Sequence, residues 1–321
     1  MILITNDNTA LEPITAFESD LLVFDFPGLQ IGVAEYAEGP TGCTVFYFSN
    51  GAATAIDIRG GSVGTIGNYE WNHAICLAGG SLYGLEAATG VSAELFARRG
   101  YSTNFEDIAL VSGAIIYDYP PRQNAVYPDK SLGRAAIKAA RAGVFPTGRH
   151  GAGCSASVGK GFDFTQGELS GQGGAFRQVG VTKIAAFSVV NAIGAIVNRQ
   201  GKVVRGHLDK DTGTRRHSIE DLERRLANAK ALNPPPGNTT LTVVITNQKM
   251  SARSLNQFAR QVHTSLGRAI QPFQTHLDGD VLYAITTNMV ENRNLDEIGL
   301  GVIASEVVWD AVLSITDTTN P

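Results

Sequence analysis

Two carboxylates stand two residues apart at Asp278 and Asp280, just before a β-prone segment that begins at Val281. Alternate side chains of an extended chain lie on the same side, about 6–7 Å apart, so both carboxylates are expected to face one way. An Asp-Gly turn explains the pair without any function. Carboxylates so placed also accept hydrogen bonds from a hydroxyl or an ammonium, which is an orienting role in nucleophilic catalysis.

Thr239 is a candidate nucleophile for such a pair, because it stands where a predicted loop meets a predicted strand. Residues 231–238 contain three consecutive prolines, which remove backbone donors and hold φ near about −65°, so an exposed loop is predicted. Residues 239–246 are rich in β-branched side chains and predict a central strand. If Thr239 were a free amino-terminal residue, a nearby carboxylate would orient its hydroxyl and its α-ammonium.

A glycine-rich segment at residues 151–156 offers two other kinds of chemistry. It fits the dinucleotide-binding pattern loosely, but no strand pattern precedes it, so a glycine-rich loop beside a site is the better interpretation. Cys154 as a nucleophile would use His150, whereas a buried structural thiol is the simpler interpretation. Ser157 replaces the second glycine of a G-x-S-x-G elbow, so a standard α/β-hydrolase triad lacks its anchor.

Metal chemistry has one candidate, since His207, Asp209 and Asp211 alternate along an extended stretch. Charged residues near a turn are commonplace, and we expect no metal and no cofactor. The chain has three cysteines, Cys43, Cys76 and Cys154, which are far apart and form no CxxC pair. Neither a disulfide framework nor a zinc site is therefore predicted.

Composition limits the class of protein. Of 321 residues, 43% are hydrophobic and 17% charged, which allows a large core. The net charge of −4, without a basic cluster, argues against nucleic-acid or anionic-membrane partners. No stretch approaches the roughly 20 apolar residues of a membrane helix, and the start has no basic leader, so a cytoplasmic protein is expected.

Hydrophobic periodicity predicts the elements that must position these residues. Strands are predicted at residues 30–36, 44–49, 53–59, 114–119, 182–197, 203–205, 239–246 and 281–287. Helices are predicted at residues 77–99, 131–142 with a Ser131 N-cap, 218–230, 251–270 and 295–315. Strands and internal helices in both halves favour helices layered on sheets.

Longer motifs carry a resemblance to a known family. They are residues 24–28, 38–42, 72–80, 125–130, 237–240, 261–263, 270–273, 278–280 and 303–307. Through them the chain closely resembles the endo-type 6-aminohexanoate-oligomer hydrolases, known as nylon hydrolases. More widely it is similar to the L-aminopeptidase/D-esterase and β-aminopeptidase group, whose members process themselves and use an amino-terminal nucleophile.

The resemblance implies an α/β fold of the αββα sandwich type. It implies one hydrolase domain, residues 1–321, that cuts itself between Asn238 and Thr239 into chains 1–238 and 239–321, and it selects Thr239 over Thr240. It also implies a homo-oligomer, a tetramer, and a small or oligomeric amide as substrate. By position it assigns catalysis to Thr239, Lys160, Asn191, Asp278 and Asp280, and substrate contact to Tyr117.

These roles imply a mechanism. The Thr239 hydroxyl would attack the Asn238 carbonyl, and the freed α-amine, with a reference pKa of about 7.7–8.0, would then act as base in turnover. Lys160 would favour the neutral amine or bind the hydroxyl, and Asn191 would donate to the oxyanion. Asp278 would orient Thr239, with Asp280 behind it.

Two other classes of function remain open from the sequence. One is an exo-acting aminopeptidase of the same fold, which needs an anionic pocket for the substrate's free amine. The other is an uncut, non-enzymatic ligand-binding protein.

Overall fold

A computed structural model describes residues 3–17, 20–162, 164–229 and 237–316. Of the predicted loop at 231–238, only Gly237 and Asn238 fall within the described residues. The α-helices in these ranges are α1 (Glu86–Arg98), α2 (Lys130–Lys138), α3 (Ser218–Ala227), α4 (Ala252–Ser265) and α5 (Glu297–Leu313). Short 3₁₀ helices are Ser81–Leu85, Phe105–Asp107, Gly151–Gly153, Phe164–Gln166 and Leu266–Arg268.

The strands of the described residues form one large mixed sheet and four small ones. They are β1 (Leu21–Val23), β2 (Gln30–Tyr36), β3 (Thr41–Ile58), β4 (Thr65–Ile66), β5 (Trp71–Ala78), β6 (Val111–Ile115), β7 (Val144–Pro146), β8 (Ser157–Val158), β9 (Glu168–Leu169), β10 (Gly171–Val179), β11 (Thr182–Asn191), β12 (Ala195–Val197), β13 (Val203–Arg205), β14 (Leu208–Asp209), β15 (Thr214–Arg215), β16 (Thr239–Gln248), β17 (Ile270–Gln271) and β18 (Val281–Val290).

The long strand β3 connects two layers of the large sheet. Its first half pairs with β2 and β5, and its second half pairs with β18, in the order β10-β11-β16-β18-β3. The two layers face each other across an apolar core, where Phe46 of β3 contacts Phe187 of β11 with ring centroids 5.1 Å apart. The register between β3 and β5 shifts between Tyr47 and Ala52, at the passage from one layer to the other.

Helices cover both outer faces. Leu255, Phe258 and Val262 recur on one side of α4, whose N-terminus is capped by the Ser251 hydroxyl accepting from Ser254 N at 3.1 Å. They pack with α5 on the outer face of β11, β16 and β18. Helices α1 and α2 pack on β2, β3 and β5. Helix, sheet, sheet and helix thus form the αββα sandwich that was predicted.

The predicted helix at 77–99 is wrong in its first part. Leu77 and Ala78 belong to β5, between β3 and the parallel strand β6, and α1 begins only at Glu86. A strand covered on both faces is apolar throughout, so its pattern does not differ from that of a buried helix. Gly80, with φ of 76°, makes the turn out of the strand.

Other boundaries also shift. The strands predicted at 44–49 and 53–59 are one strand, β3, and the strand predicted at 114–119 is β6 (Val111–Ile115). Helix α2 is capped by Asp129 and not by Ser131, since the Asp129 carboxylate accepts from Leu132 N at 2.9 Å. Among the described residues, no helix is long and apolar enough to cross a membrane.

Sheet topology brings distant residues to one edge. Because β16 and β18 are parallel, the residues before both strands lie together, and Asn238 pairs with Asp278 in a parallel bridge. Strand β11 is antiparallel to β16, so its last residue, Asn191, lies opposite Thr239.

Candidate active site

The carbonyl oxygen between Asn238 and Thr239 accepts two hydrogen bonds. The Thr239 hydroxyl, on a residue only 4% exposed, donates to it at 2.5 Å, and the backbone N–H of Gly279 donates at 2.7 Å. The predicted nucleophile and a hydrogen-bond donor therefore both lie at the bond that is predicted to be cut.

Asn191 and Lys160 form a buried pair beside that bond. Lys160 donates through Nζ to the Asn191 backbone oxygen at 3.0 Å and to Oδ1 at 3.1 Å, and Ser157 N donates to the same Oδ1 at 3.0 Å. The Asn191 Nδ2 group donates to Tyr117 O at 3.0 Å and Gly237 O at 3.2 Å. The orientation of the amide is thereby fixed.

This arrangement differs from the predicted roles of both residues. The Asn191 amide holds Gly237, before the bond that is predicted to be cut, and the backbone donor at the Asn238 oxygen is the Gly279 N–H. The hydrogen bonds of Lys160 within the described residues run to Asn191 and not to the Thr239 hydroxyl.

Asp280 holds the backbone just after the nucleophile. Its Oδ1 accepts from Thr240 N at 2.6 Å, and its Oδ2 accepts from Gln274 N at 3.0 Å. The side chain is fully buried. It therefore fixes the first residues of β16, although Asp280 was predicted to lie behind Asp278.

Asp278 holds the neighbouring loop. Its Oδ2 accepts from the backbone N and hydroxyl of Thr275 at 3.0 and 2.5 Å, and its Oδ1 accepts from Ile193 N at 3.3 Å. The predicted contact with the Thr239 hydroxyl is not formed in the uncut chain. The two aspartates precede β18, so each carboxylate turns to nearby backbone amides instead of following the alternation of a strand.

Burial shifts the ionisation of two of these groups towards neutral pH. It lowers the pKa of Lys160 to about 7, against the opposing effect of the negative charge of Asp278. Burial also raises the pKa of Asp280 well above its usual range, and the charge of Asp278 raises it further. Shifted pKa values clustered around one hydroxyl are typical of catalytic sites.

A cavity of about 480 Å³ opens beside Thr239. Its lining residues are Ser62, Val63, Gly64, Ser81, Leu82, Ile115, Tyr117, Gly237 and Thr239, and among the residues that the structure describes none of these carries a charge. Tyr117, the predicted substrate contact, is one of them. The other wall residues and the Gly279 N–H were not identified from the sequence. A backbone amide has no characteristic side chain, so only the Asp-Gly-Asp motif indicated the position of Gly279.

The alternative nucleophile is not poised for reaction. Cys154 is buried, and burial, with the negative charge of Glu35 nearby, raises the pKa of its thiol. His150 instead lies 3.1 Å from Glu35 through Nδ1. The structural interpretation of Cys154 is therefore favoured.

The segment from His207 to Asp211 is held by arginines. The Asp209 carboxylate accepts from Arg216 at 2.8 Å and Arg224 at 3.3 Å, while the other oxygen caps a turn at Asp211 N. In the described parts of the chain, no three His, Cys, Asp or Glu side chains come together as a metal site would require.

Comparison with known proteins places this geometry in a family. The chain is 50% identical over 318 residues to the 6-aminohexanoate-oligomer endohydrolases of Agromyces sp. and Paenarthrobacter ureafaciens, covering 96% of this chain and 89% of each relative. The fold is similar to that of a Burkholderia sp. beta-aminopeptidase, with a TM-score of 0.65 and 15% identity over 90% of this chain and 84% of that one.

A second solved structure specifies the fold type. It is an L-aminopeptidase D-Ala-esterase/amidase from Ochrobactrum anthropi, described as a variant of the Ntn (N-terminal-nucleophile) hydrolase fold, with a TM-score of 0.62 and 15% identity over 90% of this chain and 83% of that one. The profile of peptidase family S58 matches residues 22–319. With this match and the 50% identity to its relatives, the chain belongs to peptidase family S58.

Proposed function

We propose that this protein is an amide hydrolase that cuts its own chain between Asn238 and Thr239. Thr239 then hydrolyses internal amide bonds of oligomers such as those of 6-aminohexanoate. The observation that carries the proposal is the Asn238 carbonyl oxygen, which accepts from both the Thr239 hydroxyl and the Gly279 N–H. The names of the relatives at 50% identity supply the substrate class.

Self-cleavage begins with attack of Thr239 Oγ on the carbonyl carbon of Asn238. The carbonyl oxygen becomes an oxyanion that the Gly279 N–H stabilises, and this donor requires no rearrangement as the charge develops. The C–N bond then breaks, the nitrogen takes up the proton that Oγ lost in the attack and leaves as the α-amine of Thr239, and the Asn238 acyl group remains on Oγ as an ester. Water hydrolyses the ester and leaves chains 1–238 and 239–321.

The new α-amine serves as the base in turnover, because its ordinary pKa of about 7.7–8.0 lets it take the hydroxyl proton near neutral pH. Asp280 holds the next peptide group and so fixes the position of Thr239. Lys160 fixes the position of Asn191. After cleavage the segment that contains Gly237 withdraws, and the Asn191 amide, which has lost this partner, donates to the substrate instead. Asp278 holds the loop that carries Gly279.

The uncharged cavity favours internal cleavage over release of amino-terminal residues. An exo-acting enzyme gains binding energy from an ion pair to the substrate's amine, but the described wall of the cavity offers no carboxylate. An uncut ligand-binding protein would not need a nucleophile and a donor at one peptide bond. Resemblance to the nylon hydrolases also supports a homotetramer.

Hydrolysis of one linear 6-aminohexanoate oligomer, with free and with acetylated amino ends, tests this function. Products are sized from the first time point. The wild type should cut both forms internally, and Thr239→Ala should cut neither. Loss of cleavage on acetylation, or release of monomers alone, would establish the aminopeptidase instead.

A further inference from the structure

The uncut segment shows where the acyl part of a substrate lies. The same hydroxyl attacks Asn238 first and a substrate later, so the substrate carbonyl must take the position of the Asn238 carbonyl. Its acyl chain must then leave in the direction of Gly237. Gly237 lies against the ring of Tyr117, which a Cβ at this glycine would overlap, and both residues line the cavity beside Thr239.

The walls of this cavity suit a hydrocarbon chain. Apolar surface comes from Val63, Leu82, Ile115 and Tyr117. Among the described residues, the other side chains of the wall are those of Ser62, Ser81 and Thr239, which carry hydroxyl groups. Methylene groups gain free energy on leaving water for such a surface, whereas a buried charge without a partner loses it.

Gly64 packs directly against the side chains of the apolar wall. A Cβ at Gly64 would lie 2.6 Å from Ile115 Cδ1 and 3.1 Å from Leu82 Cδ2. The side chains of Ile115 and Leu82 therefore converge at this position. One additional carbon has no room at this part of the lining, so a branch on a bound chain would have none there, whereas a linear chain needs none.

Leu82 stands at the mouth of the cavity, 62% exposed although it lines the wall. The two preceding residues hold it there: Gly80 and Ser81 have φ of 76° and 54°, and Ser81 N donates to Ile116 O at 2.9 Å. A left-handed serine is a conformation that a fold retains where surrounding contacts enforce it, often at functional sites.

We propose that this cavity is the acyl-chain subsite of the enzyme, that it takes linear, uncharged methylene chains, and that Leu82 excludes a charged group at its mouth. The inference rests on the proposed amide hydrolysis. It adds the chemistry of the acyl group and the residue that selects it.

The test compares two anilides, hexanoyl-4-nitroanilide and 6-aminohexanoyl-4-nitroanilide, which differ by an ammonium at the end of the chain. The wild type should prefer the neutral anilide. Leu82→Asp should shift the ratio of kcat/KM towards the ammonium substrate by about tenfold or more, because it supplies a partner for the charge. Leu82→Asn has nearly the same shape without the charge and should not produce the shift.

Leu226→Asp is the matched control for position, because Leu226 on α3 is also 62% exposed. An unchanged ratio in a self-cleaved Leu82→Asp protein, or an equal shift in Leu226→Asp, would overturn the subsite and leave amide hydrolysis intact. Failure of the wild type to hydrolyse amides of any kind would contradict the proposed function itself.

A measurement on the wild type alone applies if Leu82→Asp does not mature. Hexanoyl-4-nitroanilide should be cleaved with a kcat/KM about tenfold or more above that of the branched 3,3-dimethylbutanoyl-4-nitroanilide, because the branched chain meets the converging walls. Equal rates for the two anilides would overturn the subsite.

Discussion

A backbone donor at the Asn238 oxygen and a side-chain donor at the Gly237 oxygen have different parts in the proposed reaction. In the proposed self-cleavage the Gly279 N–H would stabilise the developing charge, and its position is fixed because Asp278 and Asp280 on either side hold backbone amides. The Asn191 amide holds Gly237 O and so positions the acyl side of the bond. We therefore expect self-cleavage to depend on Asn191 because this amide positions the bond.

Asn191→Asp tests this positioning. The change keeps an oxygen for Lys160 and Ser157 but replaces the donor to Gly237 O and Tyr117 O with a second oxygen that repels both. Self-cleavage should slow by about 10²-fold, because small displacements at a reacting bond have effects of that size. The rate is measured as conversion of precursor to fragments on a denaturing gel.

Asn198→Asp is the control for this variant. Its Oδ1 also accepts two backbone N–H groups, from Gln200 and Lys202, but it lies outside the site. It should mature at the wild-type rate. Equal maturation of Asn191→Asp and Asn198→Asp would remove Asn191 from the mechanism.

Lys160 gives a prediction for stability against pH. Its pKa in the folded chain is about 7, below the ordinary 10.5, so between these values the unfolded chain binds the additional proton. Stability then rises with pH, by at most about 1.4 kcal/mol per pH unit. Lys160→Met lacks this group, so its stability does not gain this increase with pH. The free energy of unfolding of the methionine variant minus that of the protein with Lys160 should therefore decrease from about pH 7 to about pH 10.

Urea unfolding measures this difference, with both proteins in a Thr239→Ala background so that each remains a single chain. Asp280 is present in both, so its own titration cancels to first order. A difference between the two variants that does not change across this pH range would contradict the shifted pKa of Lys160.

At the residue scale, the sequence identified part of the site. The proline-to-strand junction marks Thr239, and the Asp-Gly-Asp motif marks the carboxylates and, between them, Gly279. Lys160 and Asn191 came only from resemblance, because they are 79 and 48 residues from Thr239 and carry no local pattern. Their contacts depend on the pairing of β11 with β16, which periodicity does not specify.

At the element scale, Gly237 shapes the entry into β16. It has φ of 79°, and a Cβ there would overlap the Tyr117 ring. Gly237→Ala should therefore displace the Asn238 carbonyl from the Gly279 N–H and slow self-cleavage. Tyr117→Ala in the same protein should restore part of the rate, since it removes the ring atoms that lie 2.3 and 2.6 Å from the added Cβ. It leaves the Cβ of residue 117 at 2.8 Å and the backbone cost of about 1–2 kcal/mol, so the rate should not recover fully. Fragment formation over time measures both effects.

Gly201→Ala is the control at this scale. Gly201 has φ of 75° and nothing within 4 Å of an added Cβ, so it has the backbone cost without the overlap. If Gly237→Ala matured as fast as Gly201→Ala, close packing against Tyr117 would have no part in the reaction.

Elements were predicted well where one face is solvated. Helix α4 (Ala252–Ser265) lies within the helix predicted at 251–270, with Leu255, Phe258 and Val262 on its buried side. The prediction failed at β5 because the strand is buried on both faces, so the alternation that distinguishes a strand is missing. The continuity of β3 across residues 50–52 was not predicted, because a glycine such as Gly51 between two strand patterns indicates a turn.

At the scale of the molecule, the proposed cut would assign interior strands of one sheet layer to different chains. Strand β16 lies between β11 and β18, and β18 in turn pairs with β3. Chain 239–321 would therefore supply two central strands and two helices of the layer, and the pieces should remain associated without denaturant. Size-exclusion chromatography of the cut protein should show both pieces in one peak.

Self-cleavage itself is the central claim, and the mass of the purified protein under denaturing conditions tests it most directly. The wild type should give fragments of about 25 and 9 kDa, which divide 34.0 kDa in proportion to chains 1–238 and 239–321. The smaller fragment should begin with Thr239, and Thr239→Ala should give one band of full length and no amidase activity. A wild type that remains full length and still hydrolyses amides at its full rate would contradict the account.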